Sequence, residues 1–175
     1  FSDKIELQTQ AKSNSMHHKM LFSEMEKLIE KGGIATGKQT GAAAALHEIA
    51  ETTHKRSLVI IFSDMMESSK NPEELFSALQ HLRHRNHEVI LFHVKDKRLE
   101  EEFLFEDRPY LFVDVESGEE VKVHSNEIRQ TYVDSMAAYK RELQLRCAQF
   151  RIEFVEADVN AGYRQVLLPY LLKRE

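Results

Sequence analysis

Residues 57–69 read SLVIIFSDMMESS, an apolar run from Val59 to Phe62 that meets Ser63 and then Asp64. A carboxylate at the edge of an apolar core is costly unless water, a hydrogen-bonding loop or a metal takes up its charge. Upstream, Thr40 ends the glycine-rich stretch KGGIATGKQT and precedes the alanine-rich GAAAALHEIAETTH. The ordinary reading of a threonine at a helix start is an N-cap. Hydroxyl and carboxylate oxygens are also the donors that a hard cation such as Mg²⁺ prefers, with water completing the coordination. Thr40 and Asp64 alone do not hold such an ion; at least two more oxygen ligands are required.

Other chemistry-bearing patterns are weaker. Gly32 to Lys38 matches G-x-x-x-x-G-K, but Gln39 stands where a phosphate-binding loop needs Ser or Thr, and the charged EKLIEK precedes it in place of a buried strand. His81, His84 and His87 step by three, which invites a zinc reading. They lie in HLRHRNHE, a polar helix end where cationic groups are favoured, so a solvated face is the expectation. HEIAETTH places His54 seven residues after His47, too far for the H-E-x-x-H geometry. Cys147, beside Ala148 and Phe150, reads as a buried structural thiol, with only Arg146 nearby to lower its pKa. Asp3, in a second FSD, reads as a strand-end turn residue. The charged stretch 95–109, carrying Leu99, Phe103, Leu104 and Phe105, reads as a surface connection pinned to the core, with partner docking as its functional alternative.

The elements that position these residues alternate. Ile5 to Gln8 reads as a short strand. From Ser15, Met16, Met20, Leu21, Met25, Leu28 and Ile29 recur at helical steps, with Ser13 or Ser15 as the cap. After the glycine loop come the alanine-rich helix, the strand LVIIF, a helix opened by Asn71-Pro72-Glu73-Glu74, and the strand HEVILFHV. Two nearly continuous apolar strands separated by a helix predict a parallel sheet covered on both faces. YLFVDVESGEEVKVH predicts a hairpin around Ser117-Gly118, near 110–124. A long helix from about Asn126 to Phe150, the strand RIEFVEADV and the helix YRQVLLPYLLK follow. The result is an α/β sandwich, in which ligands sit beyond the carboxyl ends of the strands, where Asp64 lies.

The 175 residues are one domain's worth of chain, 1–175, and 42% hydrophobic with 30% charged residues is ordinary for a globular protein. A net charge of −5 argues against nucleic acid as a partner. One cysteine permits no internal disulfide, so a reducing, cytoplasmic setting is expected. No apolar run reaches the ~20 residues of a membrane span.

The stretch GKQTGAAAALHEIAETTHKRSLVIIFSD resembles the second half of a von Willebrand factor type A domain, where a threonine loop, a helix and an apolar strand ending in Asp supply part of a metal-ion-dependent adhesion site (MIDAS). FSDKIE, ALHEIAE, RSLVIIFSD, HEVILFHV, SGEEVKV and LRCAQFRIEFVEADV together resemble the bacterial family catalogued as domain of unknown function fifty-eight. The resemblance implies a three-layer Rossmann-like sandwich with a mostly parallel sheet. Thr40 and Asp64 then match the metal threonine and aspartate. The companion D-x-S-x-S is absent: AKSNSM has the serine spacing but Ala11 in place of Asp. The family pattern places the first strand, the first helix and the missing ligands upstream of Phe1, so a longer polypeptide is expected. Residues 1–175 alone would leave the edge of 58–62 open and should not be stable as a monomer. The implied function is a protein-binding module, not an enzyme. Its Mg²⁺ or Mn²⁺ would accept an acidic group of a partner, in the setting of a MoxR-type AAA+ ATPase. A scaffold with a vestigial metal site and, less favoured, a metal-dependent phosphoesterase are the alternatives.

Overall fold

A computed structural model describes residues 7–9, 12–30, 42–65, 72–114 and 118–172. Its centre is a parallel sheet of β1 (Leu58–Ser63), β2 (Glu88–Lys95) and β5 (Glu153–Asp158), in the order β1-β2-β5. Ile61 pairs with Leu91, and Leu91 with Phe154. Helix α3 (Pro72–His84) makes the crossover from β1 to β2. The antiparallel hairpin β3 (Pro109–Val113) and β4 (Glu120–His124), then the long helix α4 (Ser125–Gln149), lead from β2 to β5. Helices α1 (Ser15–Glu30) and α2 (Ala42–Thr52) precede β1, and α5 (Tyr163–Leu172) follows β5. This is an α/β arrangement with a Rossmann-like layout, as expected.

Local chemistry accounts for the boundaries. Pro72 opens α3 where no N–H is required, with Glu73 and Glu74 in its first turn and His81, Arg83 and His84 in its last. The helix is closed by Asn86 in the left-handed region (φ 64°), with His87 N–H bonded to Leu82 O (3.3 Å) and Asn86 N–H to Arg83 O (2.9 Å). Arg151 (φ 56°) closes α4 the same way, with Ile152 N–H on Cys147 O and Arg151 N–H on Ala148 O. Gly118 (φ 73°) takes the positive-φ position in the hairpin turn, its N–H donating to Asp114 O at 2.8 Å. At α1 the cap is neither Ser13 nor Ser15: Asn14 Oδ1 accepts the His17 N–H at 2.7 Å.

One face of the sheet, with Ile61, Val89 and Leu91, packs on Leu46 and Ala50 of α2, Leu75, Phe76, Leu79 and Leu82 of α3, and Leu143 and Cys147 of α4. The opposite face packs Ile90, Phe92 and Ala157 against Tyr170 of α5, whose ring meets Phe92 edge-on at 5.5 Å. The expectation of a sheet covered on both faces fails at β1. Leu58, Ile60 and Phe62 of β1 are 47%, 46% and 58% exposed; among the described residues α5 packs over β2 and β5. Met16, Phe22, Met25 and Ile29 of α1 are likewise exposed, so that helix forms on its periodicity without burying its stripe among the described residues.

Of the connection after β2, Phe103 alone among the four apolar residues is fully buried; Leu99 and Leu104 are exposed and Phe105 is half-buried. Phe103 packs against Tyr132 of α4 (4.6 Å between ring centres) and against Phe105 and Phe112, which docks the hairpin on that helix. The strand expected over Ile5–Gln8 falls partly outside the described residues, and Leu7 and Gln8 have no regular structure.

Candidate functional site at the carboxyl end of the sheet

Asp64 follows the last residue of β1 and is exposed at the carboxyl rim of the parallel sheet. Its backbone is tied down from several elements. The Ser63 hydroxyl accepts the Met65 N–H (3.0 Å). The ring of His93, paired in register with Ser63, places Nε2 3.0 Å from the Asp64 carbonyl. The Tyr139 hydroxyl of α4 donates to the Met65 carbonyl. Met65 sits at φ 55°, with its side chain buried.

Asp64, His93, Lys95, Glu100, Met136 and Tyr139 line a narrow cleft behind this turn. Burial lowers the His93 pKa, outweighing the bond to the Asp64 carbonyl that would raise it. The ring is therefore neutral, and Nε2 must carry the proton because a carbonyl can only accept. Glu100 is pushed up, first by burial, with the negative charges of Asp64 and Asp96 adding to it. Glu100 thus lies close enough to Asp64 and Asp96 to feel their charge, with Lys95 opposing them.

Along the cleft wall a closed ring of ion pairs joins β2, α4, β5 and the wide helical turn Lys97–Glu101. Lys95 Nζ lies 2.5 Å from Glu101 Oε2 and 3.0 Å from Glu156 Oε2. Lys140 Nζ lies 2.7 Å from Glu101 Oε1 and 2.9 Å from Glu156 Oε2. Burial pushes Glu101 and Glu156 up, but hydrogen bonds from Lys140 and Lys95 outweigh it and hold both below their ordinary range. Asp96 and Asp158 finish the ends of β2 and β5. Asp96 Oδ1 accepts Arg98 N–H, Leu99 N–H and the Asn160 amide, while Asp158 Oδ1 accepts Lys97 N–H and Asn160 N–H.

Of the residues singled out from sequence, Asp64 stands where the topology should put it. Thr40 lies outside the described residues, as do the Gly32–Lys38 pattern and Asp3, so the proposed convergence of Thr40 with Asp64 is not described. Among the described residues no three or more His, Cys, Asp or Glu side chains gather as a metal-holding group. For a divalent cation, the described residues thus offer the Asp64 carboxylate, a fit in donor type but not in donor number.

The histidines disperse. His81 bonds His47 through Nδ1 (2.9 Å) and pairs with Glu51 through Nε2 (2.9 Å), occupying both ring nitrogens. His84 is exposed, but His87 is fully buried and accepts the Ser57 N–H on Nδ1 (3.2 Å). The solvated-face expectation is therefore corrected for His87, which ties the start of β2 to the residue before β1. Cys147 is fully buried, and burial pushes its thiol up to about 12. Against an ordinary value of 9.0, that leaves about a thousandfold less thiolate. Iodoacetamide at pH 8 should accordingly label the native protein at least about a thousandfold more slowly than the urea-unfolded chain. Labelling at comparable rates would contradict the buried placement.

His93, Tyr139 and the ion-pair ring were not among the sequence candidates. His93 and Lys95 carried a signal: polar residues two apart at the end of an otherwise apolar strand point to one face and demand partners there. Tyr139, in a mostly exposed helix, carried none.

Among the described residues, no helix is long and apolar enough to cross a membrane. Comparison with protein families matches residues 1–142 to the family described as Protein of unknown function DUF58. No curated protein and no solved structure matched.

Proposed function

Because this chain belongs to the Protein of unknown function DUF58 family, whose description assigns no activity, we propose that it is a metal-dependent protein-binding module of the von Willebrand factor A type. In this reading Thr40 and Asp64 contribute oxygen ligands to a Mg²⁺ or Mn²⁺, and further oxygen donors beyond the described residues complete the set. The bound ion would supply a positively charged open position for an acidic side chain of a partner protein, a directional contact within an otherwise modest interface. A MoxR-type AAA+ ATPase is the partner the resemblance suggests.

The observation that carries this reading is the place of Asp64. It is an exposed carboxylate at the carboxyl end of a strand in a parallel sheet, on a turn whose backbone is held by side chains of β1, β2 and α4. Within the chain, Asp64 stands exposed at the rim, Glu100 lies close enough to feel its charge, and the ion-pair ring keeps Lys95 and Lys140 engaged with Glu101 and Glu156.

Calorimetric titration of the complete polypeptide with Mg²⁺ and Mn²⁺ tests the reading. Asp64→Ala and Thr40→Ala should each weaken binding by at least about tenfold, the loss expected when a site of few donors gives up one of them. Binding unchanged in both variants would favour the scaffold alternative, with a vestigial site.

A further inference from the structure

Resting on the reading of Asp64 as a metal ligand, we propose that His93 and Tyr139 are positioning residues of that site. By holding the carbonyls of Asp64 and Met65, they fix the direction in which the Asp64 carboxylate leaves the sheet.

The turn after β1 would not hold its shape unaided. Met65 adopts φ 55°, a left-handed conformation that a non-glycine residue enters only at a cost. Three hydrogen bonds and the burial of the Met65 side chain offset that cost. They come from different parts of the chain: Ser63 is local, His93 belongs to the adjacent strand, and Tyr139 lies on α4, 74 positions from Met65.

Both long-range bonds act on backbone carbonyls rather than on the Asp64 side chain. His93 is 3% exposed and lines the cleft beside Asp64; its Nδ1 has no hydrogen-bond partner among the described residues. A buried imidazole that makes one bond, to the carbonyl of the candidate ligand, is well placed to orient that residue. Its register opposite Ser63 means that any slip of β1 along β2 breaks the contact.

The position of Tyr139 is itself enforced. The next residue, Lys140, joins Glu101 and Glu156 in the ion-pair ring, and Lys95, two residues beyond His93, closes that ring from β2. The ring thereby holds α4 against the sheet end at the height where the Tyr139 hydroxyl meets the Met65 carbonyl. A continuous path of contacts runs from the ring to the Asp64 turn.

The test uses the complete polypeptide with Mn²⁺ as the probe, in the wild type and in Tyr139→Phe, His93→Leu, His93→Gln and Asp64→Ala. Tyr139→Phe removes a single oxygen and is the variant safest for folding. Mn²⁺ affinity should fall about 10–100-fold in Tyr139→Phe and His93→Leu, as expected for groups that orient a ligand. His93→Gln, which keeps an N–H donor at similar reach, should restore most of it, which a merely space-filling role would not predict. Affinity unchanged in Tyr139→Phe and His93→Leu, with Asp64→Ala abolishing binding, would overturn the positioning role and leave the metal reading standing. Unchanged binding in Asp64→Ala would sink the metal reading itself. The hold on the turn is then judged by amide exchange at Met65 in metal-free protein: exchange about tenfold faster in Tyr139→Phe upholds it, and unchanged exchange overturns it.

Discussion

Replacing Lys95 by methionine is expected to cost about 2–3 kcal/mol of folding stability at neutral pH. The Lys95 side chain is 6% exposed with its ammonium between Glu101 and Glu156, and methionine fills the space of its stem without its charge. Two cations facing two carboxylates become one facing two, and the surplus negative charge stays at the inner end of the cleft. The expected loss lies below the ~3–5 kcal/mol of a fully buried broken pair, for two reasons. Lys140 remains, and the carboxylates, 27% and 43% exposed, are screened by water. Urea denaturation of the complete polypeptide at pH 7 measures it. A companion Glu156→Gln in the Lys95→Met background should recover part of the loss, since it removes the unmatched charge.

The same ring predicts a pH dependence. Glu101 and Glu156 are held below their ordinary range, so the folded state binds fewer protons than the unfolded state near the carboxylate pKa. Their contribution is complete above the unfolded value of about 4.3 and is lost as pH falls through the lowered folded values. The difference between wild type and Lys95→Met should therefore shrink as pH is taken from 6 to 3. A difference under about 0.5 kcal/mol at pH 7, or one that persists undiminished in acid, would contradict a functioning ring.

The second large effect is expected at Leu143. Helix α4 runs for 25 residues, yet Ser125, Leu143 and Cys147 are its buried ones. Leu143, fully buried against the sheet and α3, is thus the principal apolar anchor of a helix that is polar along most of its surface. Leu143→Ala should lose about 3 kcal/mol, from lost transfer energy and the cavity left under a helix with few other contacts to close it. Leu145→Ala, at a position 65% exposed two residues on, should change stability by less than about 0.5 kcal/mol. Equal effects at the two positions would mean that α4 packs through another face. Because Tyr139 lies one turn before Leu143, loosening this anchor should also speed amide exchange at Met65.

These expectations tie the site to the core. The ring and Leu143 hold α4, α4 carries Tyr139, and Tyr139 with His93 holds the turn that presents Asp64.

Much of the architecture was legible in the sequence because it follows from local rules. Unbroken apolar runs at LVIIF and HEVILFHV make parallel strands, Pro72 opens a helix, Gly118 marks a hairpin, and a carboxylate just after an apolar strand must emerge at its carboxyl end. Cys147 could be read as buried because its neighbours offered the thiolate little support. Where two local signals competed, the sequence reading fell short: Asn14, not an adjacent serine, caps α1, and His87 looked solvated among polar neighbours. What only the tertiary structure decided were the pairings across long separations: Tyr139 with Met65, His93 with Asp64, and Lys95 and Lys140 with Glu101 and Glu156. A polar residue's need for a partner is written in its own type. Which residue meets that need depends on the register of β1 against β2 and on where α4 crosses the sheet end, and these are set by packing of the whole core rather than by any local stretch.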